Sequence, residues 1–482
     1  MNTERTLKQK AVKGLAWSAL NNGATQLLSA VFGIVLSRRL SQDDYGLINM
    51  IIIFSMVATA LQDSGFVIAL TNKRDATHRD YNSVFWFNIS ASVLLYTLLF
   101  FSAPFIARFY GEPLLTPLAR VYFLGFLVSS LGIVPRAILF RQLKQKELAI
   151  MSLASLLVSG AVGISMVYSG MAYWSLAAQS VTFIAGCVVI SWWLSGWRPS
   201  FRISMKPVRE MFGFSSRMLV TYVFNQVNNN VFSLVLGRCY GKYETGIYSQ
   251  ANKWNTMGAN TITGMVQGVA QPTFVQVGDE REALCRAFSK MLRFVCFVSF
   301  PAMFGLALVA PEFIVITVTD KWLSSARLMQ ILCVGGAFLP IATLYYNMLI
   351  SRGRSNLYMW NVIAQGLSII ASILTVYALG GGIEQMVYAY VSIVVLWVMV
   401  WQYFVHRQIG FAWMQALRDV LSFLLVAALS VLVTYFATQS LTNVYLLLLT
   451  RVLLAAVVYL VLLWMLGAQI LKECLRIVLH KG

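Results

Sequence analysis

The chain has 482 residues, of which 59% are hydrophobic and 11% are charged. Because soluble domains carry about 25% charged residues, this composition excludes an ordinary soluble enzyme or binding domain and predicts an all-α polytopic membrane protein. The formal net charge of +19 would suit a nucleic-acid partner. However, the distribution of the basic residues indicates membrane orientation instead, so no nucleic-acid partner is predicted.

Fourteen apolar stretches, each near the roughly 20 residues that cross a bilayer, follow one another between short charged or Gly/Pro-bearing loops. They lie at 12–36, 46–70, 84–107, 117–138, 148–168, 172–195, 211–237, 245–274, 290–310, 326–350, 358–379, 384–405, 418–437 and 444–466. The first is preceded by a basic segment but is interrupted by Asn21 and Asn22 and lacks a small-residue cleavage site. We therefore interpret it as an uncleaved span.

The basic residues predict the orientation of these spans. If the N-terminus is cytoplasmic, 26 of the 37 Lys and Arg residues fall in cytoplasmic segments and only eight fall outside. This bias matches the positive-inside rule. With an even number of spans, both termini are predicted to be cytoplasmic.

No motif for catalysis or for a cofactor stands out. The six cysteines and the three histidines, His78, His406 and His480, are scattered without metal or disulfide spacing. The chain also lacks a G-x-x-x-x-G-K-[ST] phosphate loop and an H-E-x-x-H helix. These features predict a protein that is not an enzyme and that has neither a cofactor nor a metal site.

An internal repeat divides the chain into two similar halves. The segment "FGIVLSRRLSQDDYGLI" from Phe32 matches "FSLVLGRCYGKYETGIY" from Phe232 at a constant offset of 200. Six spans separate the copies, so the two halves have the same orientation in the membrane. We predict a six-helix lobe at 1–200, a second six-helix lobe at 201–410, and two extra helices with a cytoplasmic tail at 411–482.

Polar side chains form stripes on the leading helices of both halves. In "YVFNQVNNNVFSLVLGRCYG", which starts at Tyr222, amides recur at the i, i+3, i+4 spacing of one helical face. Hydrogen bonds between such groups can simply hold helices together, and each bond contributes about 0.6 kcal/mol. However, polar stripes on four helices, the first and second of each half, favour a hydrated cleft. The predicted cavity residues are Asn22, Gln26, Asn225, Gln226, Asn229, Asn252, Lys253, Asn255 and Asn260.

Four charged residues extend this prediction. Lys253 is the ninth residue of the span 245–274, where a lysine costs at least about 2.5 kcal/mol on insertion scales, so it is predicted to meet water or an anion. Arg38 and Arg238, at the outer ends of the leading helices, either contact an anion or anchor those helices at the interface. Asp63 lies on the striped face of the second span and either couples transport to an ion or pairs with Lys73 or Arg74.

The sequence "GLAWSALNNGATQLLSAVFGIVLSRRLSQDDYGLINM", followed by "ALQDSGFVIAL", resembles the polysaccharide-exporter branch of the multidrug/oligosaccharidyl-lipid/polysaccharide (MOP) flippase superfamily. The resemblance covers essentially the whole chain and is strongest to Wzx-like exporters of the colanic-acid and lipopolysaccharide type. It implies flipping of an undecaprenyl-diphosphate-linked oligosaccharide repeat unit to the periplasmic leaflet of the bacterial inner membrane. The implied mechanism is alternating access of two lobes, driven by an ion gradient.

The resemblance also implies partners and leaves alternatives open. The implied partners are the lipid-linked oligosaccharide, membrane lipids and the polysaccharide polymerase machinery. A multidrug exporter of the same superfamily is disfavoured because the charges at membrane depth, Lys253 and Arg217 against Asp63, are mostly positive. A peptidoglycan-precursor exporter stays open. A polysaccharide polymerase or ligase is less favoured, because it should carry a large external loop with catalytic Arg or His.

The orientation can be tested with single cysteines in a cysteine-free background. We expect Ser41→Cys to react with a membrane-impermeant thiol reagent added to intact cells, and Ser204→Cys to react only after the cells are opened. Reaction of the second variant alone in intact cells would reverse the predicted topology.

Overall fold

A computed structural model describes residues 2–63, 70, 76–142, 144–201, 206–278, 280–468 and 470–471. Every regular element in these residues is helical, in agreement with the predicted all-α class. The chain divides into two compact units, Met1–Gly246 and Ile247–Gly482.

The helices follow the predicted order, with some changes in their bounds. The first unit contains α1 (Asn2–Arg39), α2 (Gln42–Asp63), α3 (His78–Tyr110), α4 (Leu115–Ser130), α5 (Ile133–Arg141), α6 (Gln145–Tyr168), α7 (Ala172–Ser195) and the first part of α8 (Lys206–Val277). The second unit contains the rest of α8, then α9 (Arg281–Leu308), α10 (Ala310–Val318), a 3-10 turn (Asp320–Trp322), α11 (Leu323–Ser351), α12 (Ser355–Ala378), α13 (Ile383–Ile409), α14 (Trp413–Ala437) and α15 (Val444–Met465).

Among the described residues, ten helices are long and apolar enough to cross a membrane, and the bent pair α4 and α5 would make an eleventh span. The three remaining predicted spans, 12–36, 211–237 and 245–274, fall within α1 and α8. These two helices carry the amide stripes, which lower their hydropathy. The total of fourteen spans therefore stays a prediction.

The predicted span 117–138 is two helices that meet at a 45° bend. Pro135 has no backbone N–H, so it cannot bond the carbonyl of Leu131 four residues earlier. The indole N–H of Trp192, on α7, donates to that carbonyl at 2.8 Å. A side chain from another helix thus satisfies the polar group that the proline leaves open, as the membrane interior requires.

Small residues allow close packing in the first unit. A Cβ atom on Gly186 of α7 would lie 2.9 Å from Oγ of Ser155 on α6. Gly160 of α6 likewise faces the ring of Phe32 on α1. Such close backbone approach is how membrane helices gain dispersion energy without a hydrophobic driving force.

Aromatic packing organises the second unit around α9 and α11. The ring of Phe288 on α9 lies 5.0 Å from those of Tyr345 on α11 and Phe411 ahead of α14. All three side chains are almost completely buried. The long helix α11 is therefore enclosed by protein along most of its length.

A buried ion pair joins α15 to α10. Nη1 of Arg451, which is 7% exposed, donates to Oε1 of Glu312 at 2.7 Å. The same guanidinium reaches Oγ1 of Thr438 at 3.2 Å and the carbonyl of Leu308 at 3.4 Å. Three groups thus accept hydrogen bonds from one buried arginine and fix the last helix to its unit.

Breaking this pair should destabilise the protein strongly. Arg451→Met alone leaves the Glu312 carboxylate buried without its partner, which costs about 3–5 kcal/mol, so the Tm of the purified protein in detergent should fall. The double variant Arg451→Met with Glu312→Leu should recover most of the loss. A double variant that is no more stable than the single one would contradict the pairing.

Candidate functional site

The leading helices of the two predicted repeat halves are interrupted at matching positions of that repeat. In the first half, α1 ends at Arg39 and α2 begins at Gln42. In the second half, α8 is interrupted at Gly241, whose φ of 79° and ψ of −171° are not helical. The helix resumes at Lys242, which is 200 residues after Gln42, so both second helices start at the same place in the repeat.

These two helix starts cross in direct backbone contact, which we call the glycine crossing (residues 42–46 and 242–246). A Cβ atom on Gly46 would overlap the carbonyl group of Lys242. Conversely, a Cβ atom on Gly246 would overlap the carbonyl group of Gln42. Each glycine thus contacts the residue that lies 200 positions from the partner of the other glycine. Only glycine leaves room for such a contact.

Charged side chains hold the crossing together. Nζ of Lys242 lies 3.1 Å from Oε1 of Glu112 and 3.8 Å from Oδ2 of Asp43. One turn earlier, a Cβ atom on Gly237 would lie 2.9 Å from the ring of Tyr110 and 3.0 Å from Met50. These groups therefore pack tightly around the backbone contact.

The predicted cavity residues of the first unit are only partly described. Asn22 is exposed, and Gln26 and Gln226 are partly buried. The carbonyl of Gln226 accepts a hydrogen bond from Nδ2 of Asn230 at 2.9 Å. The side chains of Asn225, Asn229 and Asp63 lie outside the described part of the chain, so their roles stay predictions.

The repeated arginines lie close to the crossing. Arg38 is exposed at the end of α1. Arg238 is also exposed, and its guanidinium lies 5.5 Å from the centre of the Phe109 ring. That cation–π contact suits a helix anchor, but it leaves the charge accessible to an anion, so both predicted roles of the pair stay open.

In the second unit, Lys253 lies on a polar face of α8 with Asn252 and Asn260. Lys253 is partly buried, and its Nζ lies 5.4 Å from the centre of the Trp254 ring. No ion pair to Lys253 is found among the described residues. Asn252 is partly buried and Asn260 is exposed. This face therefore presents an amine and two amides without a neutralising carboxylate.

Asn255 points elsewhere. It is 4% exposed, and its Oδ1 occupies the space beside Gly336 of α11. At about 100° per residue, Asn255 lies roughly 160° around the helix from Lys253. Its amide packs α8 against α11, and its predicted contribution to a cavity stays a prediction.

An apolar groove of about 510 Å³ lies on the other face of α8. It is lined by Ile262, Met265, Val266 and Val269 of α8 and by Met291 and Phe294 of α9, among others. Ile262 is nine residues from Lys253, so the groove lies about 180° around the helix from the amine. Sequence reasoning missed it, because apolar residues that line a groove and those that face lipid have the same pattern.

In the described part of the chain, no group of three or more His, Cys, Asp or Glu residues could hold a metal ion. The arrangement is suited to binding an amphiphilic molecule. It offers hydrogen-bonding amides and a cation on one face of α8, and an apolar groove on the opposite face.

Comparisons with known proteins identify the family and the fold of the chain. The chain is 26% identical over 379 residues to the teichuronic acid biosynthesis protein TuaB of Bacillus subtilis (strain 168), covering 77% of this chain and 78% of that protein. It is 24% identical over 377 residues to the lipopolysaccharide biosynthesis protein WzxC of Escherichia coli (strain K12), covering 77% and 76%.

Among solved structures, the lipid II flippase MurJ in an inward closed conformation matches with a TM-score of 0.75. The identity is 15%, and the match covers 96% of this chain and 99% of that one. This likeness shows the fold, which also occurs in transporters of the MOP superfamily. The sequence model of a family described as "Polysaccharide biosynthesis protein" matches residues 35–327. The chain belongs to this polysaccharide biosynthesis protein family, within the MOP fold.

Proposed function

We propose that this membrane protein flips an undecaprenyl-diphosphate-linked oligosaccharide repeat unit from the cytoplasmic to the periplasmic leaflet of the bacterial inner membrane. It acts in the synthesis of exopolysaccharide, capsule or O-antigen, as a transporter and not as an enzyme. The observation that carries this proposal is the polar face of α8, where Lys253 has no ion-pair partner in the described part of the chain.

The headgroup of this cargo matches the polar face. Sugar hydroxyls exchange hydrogen bonds with groups that both donate and accept, and the amides of Asn252 and Asn260 do both. A diphosphate requires a cation, and an ammonium group attracts it most strongly where water is scarce. Lys253 supplies that charge, and a multidrug carrier for cations would instead need carboxylates here.

The hydrocarbon tail of the cargo matches the apolar groove. An isoprenoid chain offers only dispersion contacts, and the groove is lined almost entirely by aliphatic, Met and Phe side chains. Polar face and groove belong to the same helix, so one movement of α8 acts on the headgroup and on the tail together.

The proposed architecture has fourteen spans. Two six-helix lobes, 1–200 and 201–410, are related by the parallel repeat, and 411–482 adds two helices. The reciprocal contacts of Gly46 and Gly246 support this arrangement, because a repeat related by a two-fold axis brings equivalent residues together in pairs.

The glycine crossing is the closed gate of an alternating-access cycle in this proposal. The positive-inside bias places it at the periplasmic end. Backbone contact and the Lys242 ion pairs hold it shut, and the opposite state requires these contacts to separate. Both termini are cytoplasmic in this orientation.

An ion gradient supplies the energy, with Asp63 as the coupling carboxylate. An acidic side chain in a membrane helix is a natural ion site, although this side chain lies outside the described part of the chain. Membrane lipids surround the protein, and the polysaccharide polymerase machinery receives the flipped unit.

Lys253 provides the sharpest test of the cargo site. Removing one charge-assisted contact with a phosphate costs about 1.5–3 kcal/mol, so Lys253→Ala should reduce export at least about tenfold, and Lys253→Arg should be milder. Surface polysaccharide would be measured in cells that lack the native gene, with membrane abundance followed by immunoblotting.

Lys146→Ala is the matched control, because Lys146 is exposed at the start of α6. It should export normally. Full export by Lys253→Ala at normal abundance would remove Lys253 from the site.

The gate can be tested at Gly46. Met50 is 0% exposed, so Met50→Cys should react slowly with an impermeant thiol reagent in a cysteine-free background. Adding Gly46→Ala overpacks the crossing by about 1–3 kcal/mol, which should raise the labelling rate at least about fivefold.

Gly264→Ala serves as the control, since a Cβ atom there meets nothing within 4 Å. It should leave the labelling rate of Met50→Cys unchanged. Equal rates with Gly46→Ala and Gly264→Ala would show that the crossing does not close this end.

A further inference from the structure

A second, polar cleft lies at the ends of three helices in the second unit. Its volume is about 910 Å³, and its wall combines polar and apolar groups. Ser289 and Arg293 come from α9, Gln415, Arg418, Asp419 and Ser422 come from α14, and Leu463 and Leu466 come from the end of α15. It is separate from the polar face of α8, and none of its residues entered the sequence predictions for a site.

Among the described residues that line this cleft, the charges leave one cation in excess. Asp419 accepts a hydrogen bond from Oγ of Ser289 at 2.6 Å, and its Oδ1 lies 3.7 Å from Nε of Arg293. Arg418 is exposed, and no ion pair to it is found among the described residues. The carboxylate is thus already engaged, and the Arg418 guanidinium is available to an anion.

The cleft lies at the ends of two candidate membrane spans. Helix α14 begins at Trp413 and α15 ends at Met465, so the cleft is at the membrane ends of both helices. Trp413 is 44% exposed, as is usual for tryptophans at the interface. The positive-inside bias assigns this end to the cytoplasm.

We propose that this cleft binds the phosphate of an anionic glycerophospholipid of the cytoplasmic leaflet. Basic pockets between membrane helices on this side are suited to anionic headgroups. Arg418 and the outer edge of Arg293 contact the phosphate, and the amide of Gln415 binds the glycerol hydroxyls. The leucines of α15 contact the first methylene groups of an acyl chain.

The same geometry disfavours zwitterionic lipids. A choline or ethanolamine group requires a carboxylate or an aromatic cage. Asp419 is engaged by Ser289 and Arg293, and among the described residues that line the cleft only Phe423 is aromatic. The excess positive charge therefore selects a headgroup with net negative charge.

The test uses the purified full-length chain in detergent, titrated with dioctanoyl phosphatidylglycerol or dioctanoyl phosphatidylcholine. Because a ligand of the native state raises Tm with its concentration, phosphatidylglycerol should raise Tm and phosphatidylcholine should not. Arg418→Gln should weaken the apparent affinity for phosphatidylglycerol at least about tenfold, the loss of one charge-assisted phosphate contact.

Arg407→Gln is the matched control. Arg407 is exposed in the last turn of α13, at the same membrane face, and contacts the Tyr403 ring outside the cleft. It should bind phosphatidylglycerol as the wild type does. Equal responses of Arg418→Gln and Arg407→Gln, or equal binding of the two lipids, would overturn the proposal. Tighter, Arg418-dependent binding of farnesyl diphosphate would also overturn it, because the cleft would then bind a prenyl diphosphate.

Discussion

The constraint on which the rest of this molecule depends is the backbone contact at the glycine crossing. Two helices can touch at their carbonyl groups only where no Cβ atom intervenes, and Gly46 and Gly246 provide that space from opposite sides. The contact requires both second helices to start at the same level. The break between α1 and α2 sets the start of the first of these helices, and the non-helical backbone of Gly241 sets the start of the second. In this position, Nζ of Lys242 lies within ion-pair distance of the carboxylates of Glu112 and Asp43.

The groups of the proposed binding site belong to the second unit. Lys253, the proposed anion contact, lies in the part of helix α8 that follows Gly246. Its two faces differ in chemistry, with an amine and amides on one face and the apolar groove on the other. An amphiphilic cargo needs both kinds of surface. The buried Arg451–Glu312 pair contributes in another way, because it holds the last helix to its unit.

Several of these features were predictable from the sequence for physical reasons. Gly46 and Gly246 occupy matching positions in the predicted repeat, and the backbone contact between their helices tolerates only glycine. The helical class and most span positions followed from hydropathy. The bend between α4 and α5 could have been inferred from Pro135. Trp192, which donates to the carbonyl freed at this bend, lies too far along the chain to be identified from the local sequence pattern. The pairing of Arg451 with Glu312, and of Asn255 with Gly336, likewise depends on which faces meet after folding. Fourteen spans and the lobe boundaries near 200 and 410 stay predictions.

The most direct test of the central claim is transport by the purified protein in proteoliposomes. An undecaprenyl-diphosphate-linked oligosaccharide with a fluorescent tag on its sugar would start in the outer leaflet, and an impermeant quencher would report the fraction that remains accessible. With an ion gradient present, a growing fraction of the tag should become protected, while protein-free vesicles and a tagged phospholipid should show no such protection. A protected fraction no larger than in protein-free vesicles, or equal movement of the tagged phospholipid, would contradict a flippase specific for lipid-linked oligosaccharides.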